Sequence, residues 1–352
     1  MIKKVAIIAG GDSGEYSVSL RSANFLYQQI SSKYEAIVVL LKGLDWQALV
    51  EWKFENDTIV PTKAAPIDKN DFSYTVDGVK HTIDYAYITI HGTPGENGIL
   101  QGYFDLLHIP YSTCNTLSAS IAFNKYTCNR YLSSFGVRIA KSVLLRANRP
   151  QPTAKEIVQT VGLPCFIKSN VGGSSIGCYK VTAENEVENA IKNAFKEGDE
   201  VVCERFMEGI EVTCGVYKTK TQRVAFPITE VVTHNEFFDY NAKYKGEVDE
   251  ITPARIPDEI RDKIQAETLR LYDIIGANGI IRVDWIITET ASLTEHRPAS
   301  PDRSQINLLE VNTTPGMTPT SFIPQQVRAA GLDIKDVLTD IIEDHFVDRP
   351  LR

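Results

Sequence analysis

The chain has 352 residues, of which 43% are hydrophobic and 23% are charged, and its formal net charge is -8 at pH 7. At roughly 100 to 200 residues per domain, this length predicts a soluble protein of two or three domains with an ordinary core. The acidic balance, without a tract of lysines, argues against nucleic-acid binding, and no apolar run approaches the ~18 residues of a membrane span.

The first residues and the cysteines indicate a cytoplasmic protein. MIKKVAIIAGG has an apolar run of five residues that ends in two glycines, so it predicts a first strand and turn rather than an export signal. The six cysteines form no Cys-x-x-Cys pair, and most lie in apolar segments, as small core residues do. We therefore expect reduced cysteines and a cytoplasmic location.

Residues 1 to 115 alternate strand and helix patterns. KVAIIAGG, EAIVVLL and DYAYITIHG are typical of strands, and SVSLRSANFLYQQI, which follows the first of them, is typical of a helix. This alternation predicts a parallel α/β layer, which binds ligands beyond the carboxyl ends of its strands, here at GGDSGE and HGTPGENG. Residues 43 to 80 are polar, and Asp77 and Gly78 predict a hairpin turn within them.

The pattern changes after residue 118. SASIAFNKYTCNRYLSSFG predicts one helix, and TAKEIVQTVGLPCFIKS begins a new unit of helix and strand. EVVCERFM and IEVTCGVY predict antiparallel strands of a small domain, and EIRDKIQAETLRLYDIIGA predicts a long amphipathic helix. The polar residues 288 to 305 separate the strand patterns GIIRVDWIIT and INLLEVN, so they predict an elongated hairpin loop.

The segment CFIKSNVGGSSIGCYKV predicts a phosphate site. Its apolar strand carries Lys168, and the Gly-Gly-Ser-Ser sequence at 172–175 forms a flexible hairpin. Glycines let backbone N–H groups approach an anion, serine hydroxyls add donors, and the lysine adds a positive charge. The alternative is a plain Gly-Ser hairpin without a ligand, since short Gly-rich loops are weakly specific.

Two strand patterns each place polar groups on one face. Arg282 and Asp284 are two residues apart, as are Glu310 and Asn312, and alternate residues of a strand share a face. If the two strands pair, Asp284, Glu310 and Asn312 converge as oxygen ligands for a magnesium ion that bridges nucleotide phosphates. The alternative for Asp284 is a simple salt bridge with Arg282.

The segment CERFMEGIEVT fits a purine nucleoside. Phe206 and Met207 offer an apolar slot for the base beside Glu204, and Glu211 can accept hydrogen bonds from the two ribose hydroxyls. The alternative is an edge strand with solvated charges, because exposed acidic residues are common.

The segment EFFDYNAKY, residues 236 to 244, interleaves aromatic residues with Lys243. Loops that cover active sites have this character. The alternative is an aromatic cluster that packs on the surface of a domain.

These motifs, in this order, resemble the ATP-grasp superfamily and, within it, the D-alanine–D-alanine ligases, across essentially the whole chain. The resemblance is carried by GGDSGEYSVSL, HGTPGENGILQG, GGSSIG, FFDYNAKY, RVD and LLEVNTTPGMTPTSF. It implies an α/β and α+β multidomain fold: an N-terminal parallel α/β (pre-ATP-grasp) domain at 1–117, a central ATP-grasp domain at 118–215, and a C-terminal ATP-grasp domain at 216–352. The lid loop would span about residues 232–250.

The resemblance assigns residues to ATP and to two Mg²⁺ or Mn²⁺ ions. The nucleotide phosphates would be contacted by Lys125, Lys168, Ser174 and Ser175. The adenine and ribose would be held by Glu204, Phe206, Met207 and Glu211. The metal ions would be held by Asp284, Glu310 and Asn312.

The resemblance also assigns residues to two D-alanine substrates. Glu15, at the head of a helix, would hold the ammonium of the first D-alanine. Arg282 and the backbone N–H of Gly316 would stabilise a developing oxyanion. The lid would contribute Lys243 and Tyr244, and the carboxylate of the second D-alanine would be held by Ser321 and Phe322.

The activity that the resemblance implies is ATP-dependent joining of two D-alanines through a D-alanyl phosphate intermediate, for peptidoglycan precursors. The implied partners are these small molecules and a second copy of the chain, in a homodimer. Tyr244, expected to hydrogen-bond Glu15 and Ser174 in the closed lid, favours D-alanine over D-lactate as the second substrate.

Three alternatives remain open from the residues. Another ATP-grasp carboxylate-amine ligase would make a different dipeptide or depsipeptide, and a non-catalytic relative would bind nucleotide only. A nicotinamide-dependent oxidoreductase is disfavoured, because VAIIAGGDSGE lacks the G-x-G-x-x-G spacing. The segment 288–305 is longer than the short hairpin usual in the family, which leaves its role open.

Overall fold

A computed structural model describes residues 2–173, 177–233, 248–289 and 304–346. Within them the chain forms three β-sheets, which we call the first, central and third sheets in chain order. The predictions for Ser174, Ser175, Lys243 and Tyr244, and for most of the lid loop and the 288–305 segment, lie outside the described residues. No helix in the described ranges is long and apolar enough to cross a membrane.

The first sheet has seven strands, and β1 lies between β2 and the edge strand β7. In chain order they are β1 (Lys4–Gly10), β2 (Glu35–Lys42), β3 (Asp45–Glu55), β4 (Thr58–Asp68), β5 (Ser73–Val76), β6 (Val79–His81) and β7 (Tyr85–Ile88). Their spatial order is β6-β5-β4-β3-β2-β1-β7, and β1 runs parallel to β2 and β7. The predicted parallel layer is thus confirmed for these three strands, and helix α1 (Tyr16–Ile30) packs on β1.

Residues 43 to 80 extend this sheet with antiparallel strands that the sequence did not predict, apart from the last pair. The predicted turn at Asp77 and Gly78 is confirmed: both have positive φ, and Val76 pairs with Val79. An equivalent turn at Asn56 and Asp57, also with positive φ, joins β3 to β4. Most residues of β4 are exposed, so this strand has no continuous apolar face.

Helices α2 (Ile99–Leu107), α3 (Thr116–Phe123) and α4 (Lys125–Ser133) follow the first sheet. The prediction of one helix from 118 onward is wrong, because the helix breaks at Asn124. This residue has extended backbone angles, and its side-chain oxygen accepts a hydrogen bond from the backbone N–H of Thr127 at 2.9 Å. The cap starts α4 anew and places Lys125 at its first position.

The central sheet has the order β10-β9-β11-β8, and each neighbouring pair is antiparallel. Its strands are β8 (Ser142–Arg146), β9 (Cys165–Ser169), β10 (Cys178–Val181) and β11 (Glu200–Arg205). Helices α5 (Ala154–Val161) and α6 (Val187–Ala194) cover one face, with a short 3-10 helix at Glu184–Glu186. Helix α5 begins with a capping box in which Thr153 and Glu156 exchange hydrogen bonds.

The third sheet has the order β15-β14-β12-β16-β17, and β13 pairs with β12. Its strands are β12 (Ile210–Lys218), β13 (Arg223–Ala225), β14 (Thr229–Thr233), β15 (Val248–Ile251), β16 (Ile280–Glu289) and β17 (Ser304–Asn312). The helices of this part are α7 (Asp258–Ile275), α8 (Phe322–Ala329) and α9 (Ile334–Asp344). The predicted pairing of β16 with β17 is confirmed.

The strand patterns EVVCERFM and IEVTCGVY, predicted to lie in one small domain, belong to two different sheets. The first pattern is β11 of the central sheet, and the second is β12 of the third sheet. The predicted boundary after residue 215 therefore falls inside β12. The division of the chain into domains stays a prediction.

The first and third sheets share apolar clusters with other elements, whereas the central sheet has a cluster of its own. Residues of the first sheet and α1 share one apolar cluster with Met317, α8 and α9, and we call this cluster the shared core. Helices α3 and α4 pack with β12, β16 and α7 in a second cluster, around the fully buried Trp285. The cluster of the central sheet contains only residues between 143 and 203, and we call it the separate core.

Candidate active site

A cavity of about 450 Å³ opens between the central sheet and the third sheet. One wall comes from β9, β10 and β11, and the opposite wall comes from β12, β14, β16 and β17. Polar groups of several elements therefore face the same space, as in most ligand sites. The predicted residues on its surface are Lys125, Lys168, Glu204, Phe206, Met207, Glu211, Arg282, Asp284, Glu310 and Phe322.

Lys168 extends into the cavity from β9 and forms an ion pair with Glu204 on β11. The Nζ–Oε2 distance is 2.6 Å, and both side chains are largely buried. Burial disfavours the charged ammonium, but the carboxylate outweighs this effect and raises the pKa of Lys168. Asn129 of α4 donates a hydrogen bond to the other oxygen of Glu204 at 2.9 Å. In this structure the Glu204 carboxylate pairs with Lys168, so a contact between Glu204 and adenine stays a prediction.

Lys125 reaches the same cavity from the first turn of α4. Its Nζ donates a hydrogen bond to the backbone oxygen of Gly172, at 2.5 Å, and lies 3.3 Å from Oε1 of Glu310. A second cation therefore stands between the Gly-rich loop and the end of β17. Sequence reasoning missed Asn129, although its position one helical turn after Lys125 puts both residues on one face of α4.

One part of the cavity wall is apolar and aromatic. The rings of Phe166 and Phe206 lie 5.7 Å apart, and the ammonium of Lys180 lies 5.1 Å from the centre of the Phe206 ring. Met207 and Ile210 also line this part. These side chains form a slot of the kind that holds a flat base.

Arg282 and Asp284 form a bidentate ion pair on β16. The guanidinium Nε and Nη2 donate to the two carboxylate oxygens at 2.9 and 2.8 Å, and Thr213 donates a hydrogen bond to Oδ1 at 2.6 Å. Burial works against the charge of Arg282, but attraction to Asp284 outweighs it and raises the pKa of the guanidinium. Arg282 also lies 5.2 Å above the ring of Phe322.

The strand register puts Asp284 directly opposite Glu310, and Arg282 opposite Asn312. The oxygen of the Asn312 side chain accepts a hydrogen bond from the backbone N–H of Thr314, at 3.0 Å. Among the described residues, no three His, Cys, Asp or Glu side chains are gathered as a metal site. Two carboxylates and an amide oxygen still suit Mg²⁺, because this ion keeps water and phosphate oxygens as its other ligands.

Glu15 lies at the head of α1, where the loops after β1 and β7 meet. The Ser13 hydroxyl donates to the backbone oxygen of His91 at 2.7 Å and accepts from the Glu15 N–H at 3.2 Å. A Cβ added to Gly173 would lie 3.1 Å from Oε2 of Glu15, so this carboxylate faces the Gly-rich loop. Gly173 lines the cavity and Glu15 does not, so this carboxylate lies behind the loop at the cavity wall.

Glu96, which sequence reasoning missed, closes the loop after β7. Its Oε2 accepts a hydrogen bond from the Gly92 N–H at 3.0 Å. Burial raises the pKa of Glu96 to about 7, and nearby Glu15 adds to this shift while the hydrogen bond to Gly92 opposes it. A carboxyl group with this pKa is partly protonated near neutral pH.

Gly316 lies in the loop after β17, and Ser321 is the N-cap residue of α8. Ser321 Oγ accepts a hydrogen bond from the Thr318 N–H at 3.1 Å, and its hydroxyl lies 2.7 Å from that of Thr318. A Cβ on Gly316 would approach Ser321 Oγ to 2.9 Å, so a larger residue would displace this hydroxyl. Gly316, Ser321 and Asn312 do not line the cavity itself.

Comparison with known proteins finds similar sequences over nearly the whole chain. A family model described as "D-ala D-ala ligase N-terminus" matches residues 4–114, and one described as "D-ala D-ala ligase C-terminus" matches residues 132–343. The D-alanine–D-alanine ligase of Phocaeicola vulgatus is 54% identical over 347 residues, which cover 98% of this chain and 100% of that protein. That of Bacteroides thetaiotaomicron is 55% identical over 348 residues, with the same two coverages.

Solved structures give the same result for the fold. The VanG D-Ala:D-Ser ligase from Enterococcus faecalis has a TM-score of 0.82 at 29% identity, over 98% of this chain and 100% of that chain. The D-alanyl-alanine synthetase A from Vibrio cholerae has a TM-score of 0.81 at 26% identity, over 99% of each chain. The three-sheet arrangement described above is therefore that of these ligases.

Proposed function

The chain belongs to the D-alanine–D-alanine ligase family, and we propose that it joins two D-alanine molecules while ATP is converted to ADP and phosphate. The observation that carries this proposal is the cavity in which two lysines, the Arg282–Asp284 pair and Glu310 converge. A carboxylate does not react with an amine at a useful rate, so it must first be activated, and phosphoryl transfer to the carboxylate does this.

ATP would lie with its base in the slot of Phe166 and Phe206 and its phosphates toward α4. Lys125 and Lys168 are the cations that meet the phosphates there, and Glu211 stands where a ribose hydroxyl needs an acceptor. Ser174 and Ser175 would add hydroxyl donors from the Gly-rich loop. The ion pair with Glu204 holds Lys168 in place before the nucleotide arrives.

Asp284, Glu310 and Asn312 fit a divalent metal ion, Mg²⁺ or Mn²⁺, and a pair of ions is consistent with their spacing along two strands. Such an ion neutralises the charge of the transferring phosphoryl group. Thr213 and Arg282 orient the Asp284 carboxylate by three hydrogen bonds. This support fixes the direction in which Asp284 presents its remaining lone pairs.

The first D-alanine would place its ammonium at Glu15 and its carboxylate toward the phosphates. The carboxylate oxygen attacks the γ-phosphorus, ADP leaves, and a D-alanyl phosphate remains. The amine of the second D-alanine then attacks the acyl carbon, and phosphate leaves with the electron pair of the broken C–O bond and takes up the proton that the nitrogen loses. Arg282 and the N–H of Gly316 would hold the oxyanion that forms between these two events.

The second D-alanine would be held by its carboxylate, at Ser321 and Phe322. The lid residues Lys243 and Tyr244 would close over both substrates and exclude water, which otherwise hydrolyses the acyl phosphate. Tyr244 with Ser174 and Glu15 would make the second pocket one that accepts an ammonium group. We also propose a cytoplasmic location, since these substrates are small cytoplasmic metabolites. The homodimer rests on the family resemblance alone.

A second candidate activity uses a different second substrate. The similarity to the VanG D-Ala:D-Ser ligase, at 29% identity, favours D-serine as the competitor, whereas relatives at 54% identity are named D-alanine–D-alanine ligases. The greater similarity supports D-alanine.

The test is a competition. Purified protein with ATP and Mg²⁺ receives D-alanine alone, D-alanine with D-serine, D-alanine with D-lactate, or L-alanine, at pH 7. Phosphate release and product masses are measured. We expect phosphate release with D-alanine, D-alanyl-D-alanine as the main product in every mixture, and no release with L-alanine. A mixed product that exceeds the D-alanine dipeptide would contradict the substrate assignment, and release with L-alanine only would contradict the family function.

A further inference from the structure

Asn170 is fully buried between the end of β9 and the start of α4. Its side-chain oxygen accepts a hydrogen bond from the Tyr126 N–H at 2.8 Å, and its side-chain nitrogen donates to Glu200 Oε2 at 2.7 Å. Its backbone oxygen accepts a hydrogen bond from the Lys125 N–H at 3.0 Å, and its backbone N–H donates one to the backbone oxygen of Glu200 at 3.0 Å. Every polar group of this residue is thus used.

Glu200 forms the other half of this junction. Besides Asn170, its carboxylate accepts hydrogen bonds from the Asn124 side chain at 3.2 Å and from Arg146 Nε at 2.8 Å. Burial raises the pKa of Glu200, but the bonds from Arg146, Asn170 and Asn124 outweigh it and hold the pKa below its usual range. Glu200 is therefore a carboxylate at neutral pH, and it fixes which way the Asn170 amide points.

The junction connects two parts of the phosphate site. On one side it satisfies the backbone N–H groups of Lys125 and Tyr126 at the N-terminus of α4, which have no partner within the helix. On the other side it ends β9, two residues before Gly172. Lys125 Nζ in turn donates to the Gly172 oxygen. Asn170 therefore fixes the position of Lys125 relative to the Gly-rich loop.

The contacts of Asn170 matter because the central sheet has a separate core. The apolar cluster of the central sheet contains only its own residues, whereas α4 packs with the third sheet. The position of β9 relative to α4 thus depends on polar contacts such as those of Asn170, rather than on a common core. A change of a few tenths of an ångström there would move Lys125 relative to the Gly-rich loop.

We propose that Asn170, held by Glu200, is a positioning residue that sets Lys125 beside Gly172 for the phosphates of ATP. The proposal rests on the proposed function, in which Lys125 contacts those phosphates. Asn170 does not itself touch the nucleotide; it acts through Lys125. It therefore affects binding of the triphosphate and leaves binding of the nucleoside unchanged.

The experiment compares Asn170→Ala with the unaltered protein by isothermal titration with a non-hydrolysable ATP analogue and with adenosine. We expect the analogue to bind about 10-fold more weakly, since a buried hydrogen-bond network is broken, and adenosine to bind equally well. Glu156→Ala is the control, because it removes the capping box of α5, a helix that packs on the same sheet, and the hydrogen bonds lost are those with Thr153. We expect this control to bind both ligands normally.

A double-mutant cycle separates the positioning role from a general loss of structure. If Asn170 acts through Lys125, then Asn170→Ala has no further effect on the ATP analogue in a Lys125→Ala background. Equal weakening of the analogue and adenosine, or additive effects in the cycle, would overturn the inference alone. If Lys125→Ala itself leaves the affinity unchanged, Lys125 is not a phosphate ligand, and both the inference and that part of the proposed function are wrong.

Glu200→Gln provides a second variant if Asn170→Ala does not fold. The amide oxygen of the new glutamine can still accept the hydrogen bond from the Asn170 side chain, but it lacks the negative charge of the carboxylate. We therefore expect about 3-fold weaker binding of the analogue and unchanged binding of adenosine. Unchanged affinity for the analogue in a folded Glu200→Gln protein, together with the Asn170→Ala protein unable to fold, would overturn the inference.

Discussion

The central sheet and the third sheet face each other across one cavity, but they are anchored in different ways. Strands β16 and β17 of the third sheet lie on apolar clusters that reach α4 and the first sheet. The central sheet has its own core, and its links to α4 are polar, through Asn129, Asn170 and Arg130. The side that holds the metal ligands and Arg282 is therefore rigidly placed, while the side that holds Lys168 can be displaced at the cost of a few hydrogen bonds.

This difference separates two kinds of variant. A change on the third sheet should reduce the rate of chemistry with little effect on nucleotide affinity, because the charges there act on the transferring group. A change on the central sheet should alter nucleotide binding or the stability of that sheet alone. The following predictions test this separation, from the largest expected effect to the smallest.

Glu310→Gln should lower kcat by about 10²–10³-fold, because it removes a carboxylate ligand of the metal ion that would neutralise the transferring phosphoryl group. Steady-state rates and a Mg²⁺ titration measure this, and the affinity for the ATP analogue in the absence of metal is the control. We expect that affinity to change little. A variant with near-normal kcat at ordinary Mg²⁺ concentrations would show that Glu310 is not a metal ligand.

Truncation of one residue in each core should cost about 2–5 kcal/mol of unfolding free energy, but in different parts of the molecule. Ile323 lies in the shared core and Ile167 in the separate core, and both are fully buried. Calorimetry should show that Ile167→Ala lowers a transition of the central sheet, while Ile323→Ala lowers the transition of the first and third sheets. Equal shifts of one common transition would contradict the separation of the cores.

Glu204→Gln should reduce stability by about 1–3 kcal/mol, since the buried ammonium of Lys168 loses its charged partner. Asp77→Asn is the matched control: it removes the charge of an exposed pair with Lys63, which usually contributes less than about 1 kcal/mol. Denaturation with urea measures both. If the two variants lose equal stability, the Lys168–Glu204 pair is as hydrated as a surface pair.

Glu96→Gln should change the pH dependence of stability. The pKa of Glu96 is raised to about 7 in the folded protein, so the folded state binds a proton more tightly than the unfolded state. The unaltered protein should therefore lose stability from this group as the pH rises toward 7, and the variant should not. Urea midpoints of the two proteins between pH 5 and 8 measure the difference. Parallel curves would show that Glu96 ionises normally.

The elements that the sequence predicts well are those with one clear apolar pattern. β1 is buried along most of its length, β2 and α1 each carry a set of buried apolar residues, and these patterns predicted all three elements. β4 is mostly exposed, so its sequence lacks the alternation that indicates a strand, although Asn56 and Asp57 carry a turn signal. The break at Asn124 was missed because its cap depends on one local hydrogen bond inside a continuous helical pattern.

The site was predictable where a motif carries the chemistry. Lys168, Asp284 and Glu310 were identified from strand positions, and the structure brings them to one cavity. Asn129 and Thr213 were not, because each acts through a partner 71 or more residues away in the chain. Such contacts depend on the tertiary fold, and the spacing of residues along the sequence does not predict them.

The shared core also has a consequence for synthesis of the protein. Its first members, from Val5 to Tyr87, must wait for Met317 and the residues after it before their apolar faces are covered. At about 5–20 residues per second this interval is roughly 10 to 50 s on the ribosome. The separate core is complete by Cys203, so the central sheet can fold while the third sheet is still being translated. A nascent chain therefore carries a first sheet that is covered by α1 but not yet by α8 and α9, beside a folded central sheet, and this remaining apolar surface is the part that chaperones must shield.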